Sequence, residues 1–136
     1  MIQGDRELLF KDICSRILYK VHCRIYNLDG STRIEDDIVY FCTEENVVTY
    51  NAKPGECFML YQAKPYLRPM YSMTDEERSE RIGLLWELEG HINEDVTYKY
   101  QDWLNAHHLD YRGLIPKGLA LEAPEGMYNL EYYGNN

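Results

Sequence analysis

The sequence predicts an α+β fold: a small antiparallel sheet of about three to five strands, packed against an N-terminal helix and two C-terminal helices. Three observations carry this. The opening stretch repeats apolar residues at helical spacing, the next forty residues alternate in short runs broken by polar turns, and a capping signature near residue 74 opens a second helical region. A chain of 136 residues with 45% hydrophobic content is one domain with a single core.

Residues 5 to 18 read as an amphipathic helix, with Asp5 as cap and Leu9, Ile13 and Ile17 on one stripe beside Phe10 and Cys14. From Tyr19 to Tyr26 the period drops to two. Val21, Cys23 and Ile25 point one way, and Lys20, His22 and Arg24 the other, as in a half-buried strand. Asn27 to Thr32 is a turn. Asp37–Thr43, Val47–Tyr50 and Cys57–Gln62 follow as strands, separated by turns at Glu44–Asn46 and Lys53–Glu56.

Lys64-Pro-Tyr-Leu-Arg-Pro69 is expected to be a linker and not a central strand, because two prolines remove ladder donors. Thr74-x-x-Glu77 is a capping box for the next helix, whose apolar face is expected to combine Ile82, Leu85, Trp86 and Leu88, with Gly90 at its end. A last helix spans about Val96 to His107, with Val96, Tyr100, Trp103, Leu104 and His107 on one stripe. Gly113, Pro116 and Gly118 then break the chain into turns. Tyr128 to Asn136 reads as a polar tail, frayed from about residue 129.

Composition narrows the function classes. After residue 69, thirteen carboxylates face five basic side chains, so nearly all of the net charge of −9 lies there. Such a surface argues against direct nucleic-acid binding, which needs Lys and Arg to neutralise phosphates. It suits a partner protein with a basic surface, or simply solubility. No segment approaches the roughly 20 apolar residues of a membrane helix, and the N-terminus lacks the features of a signal peptide, so a cytoplasmic location is expected. Cys14, Cys23, Cys42 and Cys57 contain no C-x-x-C and are expected to be reduced and mostly buried. Thirteen tyrosines against three phenylalanines fit a sheet with one wet face, with some left for recognition.

The densest chemistry lies in Asp102-Trp-Leu-Asn-Ala-His-His-Leu-Asp-Tyr-Arg-Gly-Leu-Ile-Pro-Lys-Gly-Leu-Ala120. This string resembles a C-terminal signature, W/F-x-N-x-x-H-F-D-Y-R-G-L-I-x-x-G-L-A, of a family of small proteins of gut bacteria and their phages and prophages. Lys64 to Glu77 resembles the same family's K-P-Y-L-R-P-x-S-S-M-T-x-E-E. Glu7 to Arg16 is similar to its opening, with Leu18 and Leu109 standing where proline and phenylalanine are usual. The resemblance implies an accessory protein of a phage or mobile element. It brings no activity, cofactor or catalytic residue with it.

Two groups of residues are candidates for a ligand or partner site. In the first, His107, His108, Asp110, Tyr111 and Arg112 place imidazole beside carboxylate, as a general base requires, and add a guanidinium that could grip an anion. The nucleophile motif, phosphate loop and H-E-x-x-H that would complete an enzyme are absent from the sequence, and a structural role for the segment is favoured. In the second, Lys64, Tyr66 and Arg68 would share one side of an extended stretch, a basic and aromatic patch for a peptide or anion. A zinc site from His22, Cys23, His107, His108 and Asp110 is disfavoured, since neighbours on a strand face opposite ways. No catalytic residue, metal or cofactor is therefore assigned. The leading expectation is a non-enzymatic module that binds a host or phage protein. Its rivals are a small enzyme or ligand-binding protein using His108, Asp110 and Arg112 on an anionic substrate, and an acidic nucleic-acid mimic, for which Glu76, Glu80 and Glu87 lie along one helix side.

Overall fold

A computed structural model describes residues 3–35, 38–43, 46–49, 58–90 and 94–128. The opening helix, α1, runs from Gln3 to Arg16 and passes into a 3-10 turn at Ile17–Tyr19. Lys20 closes that turn in the left-handed region (φ 53°), so the strand that follows begins later than its alternation suggested. That strand, β1 (Cys23–Tyr26), buries Cys23 and Ile25 completely and leaves Arg24 and Tyr26 half-exposed, as the period of two requires. Around the turn at Asn27–Ser31, the Asp29 carboxylate accepts hydrogen bonds from the Ser31 amide and hydroxyl. β2 (Thr32–Glu35) returns antiparallel to β1, with Tyr26 opposite Thr32. Its four residues are almost wholly exposed, so nothing in their pattern distinguished a strand from a loop.

β3 (Ile38–Thr43), β4 (Asn46–Thr49) and β5 (Phe58–Met59) form a separate antiparallel sheet in chain order. The expected strand at Cys57–Gln62 shortens to β5, because Leu60–Gln62 winds into a 3-10 turn. There the Gln62 side-chain carbonyl accepts from the Met59 amide at 2.9 Å. The expected turn at Lys53–Glu56 lies outside the described residues.

β6 (Ala63–Leu67) overturns the linker reading. It is a central strand, antiparallel to β1 on one side and parallel to β7 (Leu121–Glu122) on the other, in the order β2-β1-β6-β7. Proline is tolerated there through register. Tyr66 donates its amide to the His22 carbonyl at 2.7 Å, so residues 64 and 66 face β1 with their amides and the Pro65 nitrogen points the other way. On that side β7 pairs only with Tyr66 and Leu67, and no ladder bond is lost. Pro69 falls outside the strand. The α+β class holds, and parallel β7 makes the larger sheet mixed.

α2 (Asp75–Gly90) and α3 (Glu94–Ala106) pack against each other. The capping box forms at the head of α2. Glu77 donates its amide to the Thr74 hydroxyl at 3.1 Å, and the Thr74 amide donates to the Glu77 carboxylate at 2.9 Å. The core lies between α1 and the larger sheet. Leu9 and Ile13 meet Cys23, Ile25, Ala63 and Leu67, with Leu114, Leu119 and Ala120 closing from the C-terminal turns. Each fully buried leucine or isoleucine here stabilises by about 1.5–3 kcal/mol. Among the cysteines, Cys23 is buried, and burial pushes its thiol well above the usual range. Cys14 is exposed, against expectation, because it sits on the outer side of α1. Cys42 and Cys57 cannot be compared, since their side chains lie outside the described residues. Among those residues, no helix is long and apolar enough to cross a membrane.

Candidate functional site

The segment after α3 is laid against β6 by backbone bonds. Arg68 donates its amide to the His108 carbonyl at 2.7 Å, and Asp110 returns its own to the Arg68 carbonyl at 2.8 Å. This short parallel bridge fixes residues 107 to 112, with His108 in the left-handed region (φ 59°) to make the bend. Two buried ion-pair knots then form on either side of it.

The first ties α1 to the segment. Arg16, completely buried, donates from Nε and Nη2 to the two oxygens of Asp12 at 2.9 and 3.0 Å, and from Nη2 to the Leu109 carbonyl at 2.8 Å. Arg112 joins from the other end, with Nη1 donating to Asp12 at 2.9 Å and to the Ser15 hydroxyl at 3.1 Å. Arg112 therefore pairs across 100 residues of sequence with Asp12 and not with neighbouring Asp110. Tyr111 lies under both guanidinium groups, 5.1 Å from Arg16 and 4.7 Å from Arg112, and its hydroxyl donates to Asn105 at 2.7 Å. Asp110 accepts the amides of Leu114 and Ile115 at 2.8 and 3.0 Å, which sets the turn that sends Leu114 into the core.

The second knot ties β6 to α2. Arg68 grips Glu77 with two bonds of 2.8 and 2.7 Å, and donates to the carbonyls of His107 and Ser72, each at 3.1 Å. The His107 Nδ1 stands 2.7 Å from the same carboxylate. Burial alone would raise the Glu77 carboxyl. Hydrogen bonds from Arg68, His107 and the Thr74 amide, together with the Arg68 charge, outweigh it and hold the group far below the usual carboxylate range.

His108 is completely buried and stacks on Tyr128, their ring centroids 3.7 Å apart. Burial, reinforced by the positive charge of Arg16, pushes the imidazole down to about 3, so it is neutral at physiological pH. Tyr128 is no part of a frayed tail. It is buried, its hydroxyl accepts from the His22 amide at 2.9 Å and donates to the Tyr66 carbonyl at 2.7 Å, and it thereby closes the end of the β1–β6 pair. Residues 129–136, expected to fray, lie outside the described residues.

The chain matches no known protein family, no curated protein and no solved structure. Its functional reading therefore rests on its own geometry.

That geometry separates the sequence candidates. Arg68 is brought together with His107, His108 and Asp110, yet every polar contact described for it is with the fold. Tyr66 is buried and its hydroxyl accepts from Arg24 at 2.7 Å, while Lys64 lies over the Tyr26 ring at 5.7 Å, so the basic patch is not presented as one surface. Two open depressions touch these residues. One, of about 290 Å³, lies beside Arg68 and is bordered by Glu122, Glu125 and Tyr128. The other, of about 570 Å³, runs along α1 past Cys14 and Ser15 to Arg112. In both, the guanidinium at the rim already faces a carboxylate of the protein. Among the described residues, no three His, Cys, Asp or Glu side chains are grouped to hold a metal ion.

The surface feature that sequence reasoning missed is the outer face of α2. Ile82 and Trp86 were expected in the core, but they are 54% and 73% exposed. Because Arg68 draws Glu77 inward, the buried stripe runs through Glu77 and Leu84, and the rival stripe through Ile82 and Trp86 is turned to solvent. Two concavities meet at Ile82. The one of about 490 Å³ is lined by Met70, Tyr71, Met73, Arg78 and Arg81; the other, of about 210 Å³, by Leu85, Trp86 and Glu89.

Proposed function

We propose that this chain is a non-enzymatic protein-binding module of the phage or prophage accessory type, which engages a host or phage protein through the outer face of α2. The observation that carries the reading is the pairing of Ile82 with Trp86, one helical turn apart and both turned to water. Large apolar side chains grouped on one exposed helix face mark interaction sites, and tryptophan is enriched among the residues that dominate binding energy. The resemblance of the C-terminal signature to small phage and prophage proteins supports this biological setting, and a cytoplasmic location is part of the proposal.

An enzyme built on His108, Asp110 and Arg112 draws no support from the geometry. The imidazole is sealed under Tyr128, the carboxylate caps a turn, and the guanidinium is shared with Asp12. The acidic mimic is weakened in a different way. Of the three carboxylates expected to form its face, Glu80 accepts from the Trp103 indole at 2.8 Å and Glu87 pairs with Lys99 at 3.4 Å, so both turn toward α3.

The test is capture by the tagged full chain from host cells, run beside the Ile82→Ser/Trp86→Ser variant. A stoichiometric protein recovered by the wild type and lost with the variant is the expected result. A set of captured proteins identical for both would overturn the assignment of the face.

A further inference from the structure

We infer that the outer face of the larger sheet is an anion site, where Arg24 and Lys64 hold the phosphate of a small organic phosphate monoester. The site uses no residue of α2 and is independent of the binding-module reading. Register, charge and unused donors lead to it.

Register brings the two cations together. Arg24 of β1 lies directly opposite Lys64 of β6, and Ile34 of β2 lies opposite Arg24 on its other side. Side chains opposite one another across a ladder share a face, with Cβ atoms roughly 5 Å apart. The same face carries Tyr26, Thr32 and Tyr66, since residues two apart on a strand point the same way. Cys23, Ile25 and Ala63 point the other way, into the core. Arg24 and Lys64 are half-buried, and both lean toward the hairpin end of the face. Arg24 Nη1 donates to the Thr32 hydroxyl at 2.6 Å, and the Lys64 ammonium lies over the Tyr26 ring at 5.7 Å. Tyr26 and Thr32 are themselves opposite each other. The partner of Lys64 on this face is therefore Arg24 and not Arg68, which is held by Glu77.

The charge on this face runs against that of the whole. In a chain of net charge −9, the outward residues of β1, β2 and β6 include no carboxylate. Glu35, the one carboxylate of these three strands, stands opposite Cys23 on the inner face and meets Arg33 at 2.9 Å. Asp29, in the hairpin turn, is folded back on Ser31. Among the described residues, no carboxylate pairs with Arg24 or Lys64. Like charges set directly opposite on a sheet destabilise it, so the pair weakens the fold and gains no ion pair in return. A phosphate monoester, nearly doubly charged at neutral pH, matches the two cations, whereas a carboxylate answers only one. A nucleic-acid strand would bring further phosphates onto an acidic molecule, which favours a small ligand.

The donors are placed and unused. Two of the five guanidinium N–H bonds of Arg24 go to the Tyr66 hydroxyl at 2.7 Å and the Thr32 hydroxyl at 2.6 Å, which fixes the group and leaves three to donate. The Lys64 ammonium adds three more, with no acceptor among the described residues. Both hydroxyls accept from Arg24 and keep their own hydrogen for an anion. Ile34, 47% exposed, and half-buried Tyr26 flank the pair and offer a seat to the organic part of the ligand.

The test is titration of the full chain with phenyl phosphate at constant ionic strength, followed through the amide resonances of Arg24, Ile34 and Lys64. A saturable one-site shift of these amides is expected. Benzoate, with the same ring and one charge, is expected to bind about tenfold more weakly, and inorganic phosphate severalfold more weakly. Arg24→Gln and Lys64→Gln should each weaken phenyl phosphate binding about tenfold. Lys64→Gln should also keep or raise the urea midpoint of the unliganded chain, because it removes the repulsion. A Lys64→Gln variant that loses stability and keeps its affinity would mark a structural pair and overturn the inference. Shifts reproduced by sodium chloride at the same ionic strength would overturn it too, as screening alone. Benzoate bound as tightly as phenyl phosphate would overturn the phosphate assignment, and inorganic phosphate bound as tightly would overturn the organic one. Oligothymidylate bound more tightly than phenyl phosphate would replace the small ligand with a nucleic-acid strand.

Discussion

Replacing Glu77 with glutamine is the sharpest perturbation of the architecture. The side chain keeps its shape, and glutamine at this position still completes a capping box, so the helix start is preserved. What goes is the negative charge opposite Arg68, whose side chain is only 7% exposed and donates two bonds to that carboxylate. Breaking one side of a buried pair leaves an uncompensated charge and costs about 3–5 kcal/mol. A domain of this size is stable by roughly 7–20 kcal/mol, so the loss is a large fraction. At about 3 °C per kcal/mol, the melting temperature should fall by roughly 10–15 °C. Urea unfolding at pH 7, followed by circular dichroism, measures the cost through the midpoint at constant slope. The double variant Arg68→Met/Glu77→Leu should recover most of it, because removing both charges relieves the desolvation that removing one exposes. A loss below about 1 kcal/mol for Glu77→Gln would place the pair with screened surface bridges. The account of how α2 acquires its rotation would then be wrong.

Other measurements probe the remaining contacts. Because folded His108 is held down to about 3 while the unfolded ring titrates near 6.5, its contribution is complete above pH 6.5 and declines as pH falls through the window between the two values. The slope there approaches about 1.4 kcal/mol per pH unit, and Glu77, also depressed, adds to it only below its unfolded value near 4.5. Urea unfolding at half-unit steps from pH 7 to 5 should show that slope in the wild type and a flatter one in His108→Asn. Tyr128→Phe removes the hydroxyl that serves the His22 amide and the Tyr66 carbonyl, at a cost of about 1–3 kcal/mol in the urea midpoint. Gly113→Ala places a side chain where φ is +73°, and should destabilise by about 1 kcal/mol, although the space around it is open.

Periodicity located α1, β1 and both later helices, and the polar turns between apolar runs located the β3–β4 pair. Among the readings that failed, three did so for different reasons. β2 lies almost wholly in water, so its residues carry no alternation to read. Pro65 argued against a strand, and only the register against β1 shows that its missing donor faces a side where no ladder bond falls. Most instructive is α2, where two apolar stripes were available. A hydrophobicity count prefers the one with isoleucine and tryptophan. The polar grip of Arg68 on Glu77 selected the other, and a buried carboxylate is invisible to such a count. The candidate segment from His107 to Arg112 was legible as unusual, but its partners Asp12, Arg16, Glu77 and Tyr128 lie far away in the chain. The i, i+4 spacing of Asp12 and Arg16 and the capping box were the available signals.

The bond from Arg16 to the Leu109 carbonyl spans 93 residues, and it bears on how the protein is made. At ribosomal rates of 5–20 residues per second, roughly 5–20 s separate the synthesis of the arginine from that of its acceptor. Throughout that interval the inner face of α1 has neither Leu114 and Leu119 to cover Leu9 and Ile13 nor Arg112 to share Asp12. The helix would remain hydrated and loosely held while the strands assemble, and would settle only when the HHLDYRG segment arrives. Nascent chains halted before residue 109 should therefore remain sensitive to protease within α1, and those extended past residue 120 should become resistant.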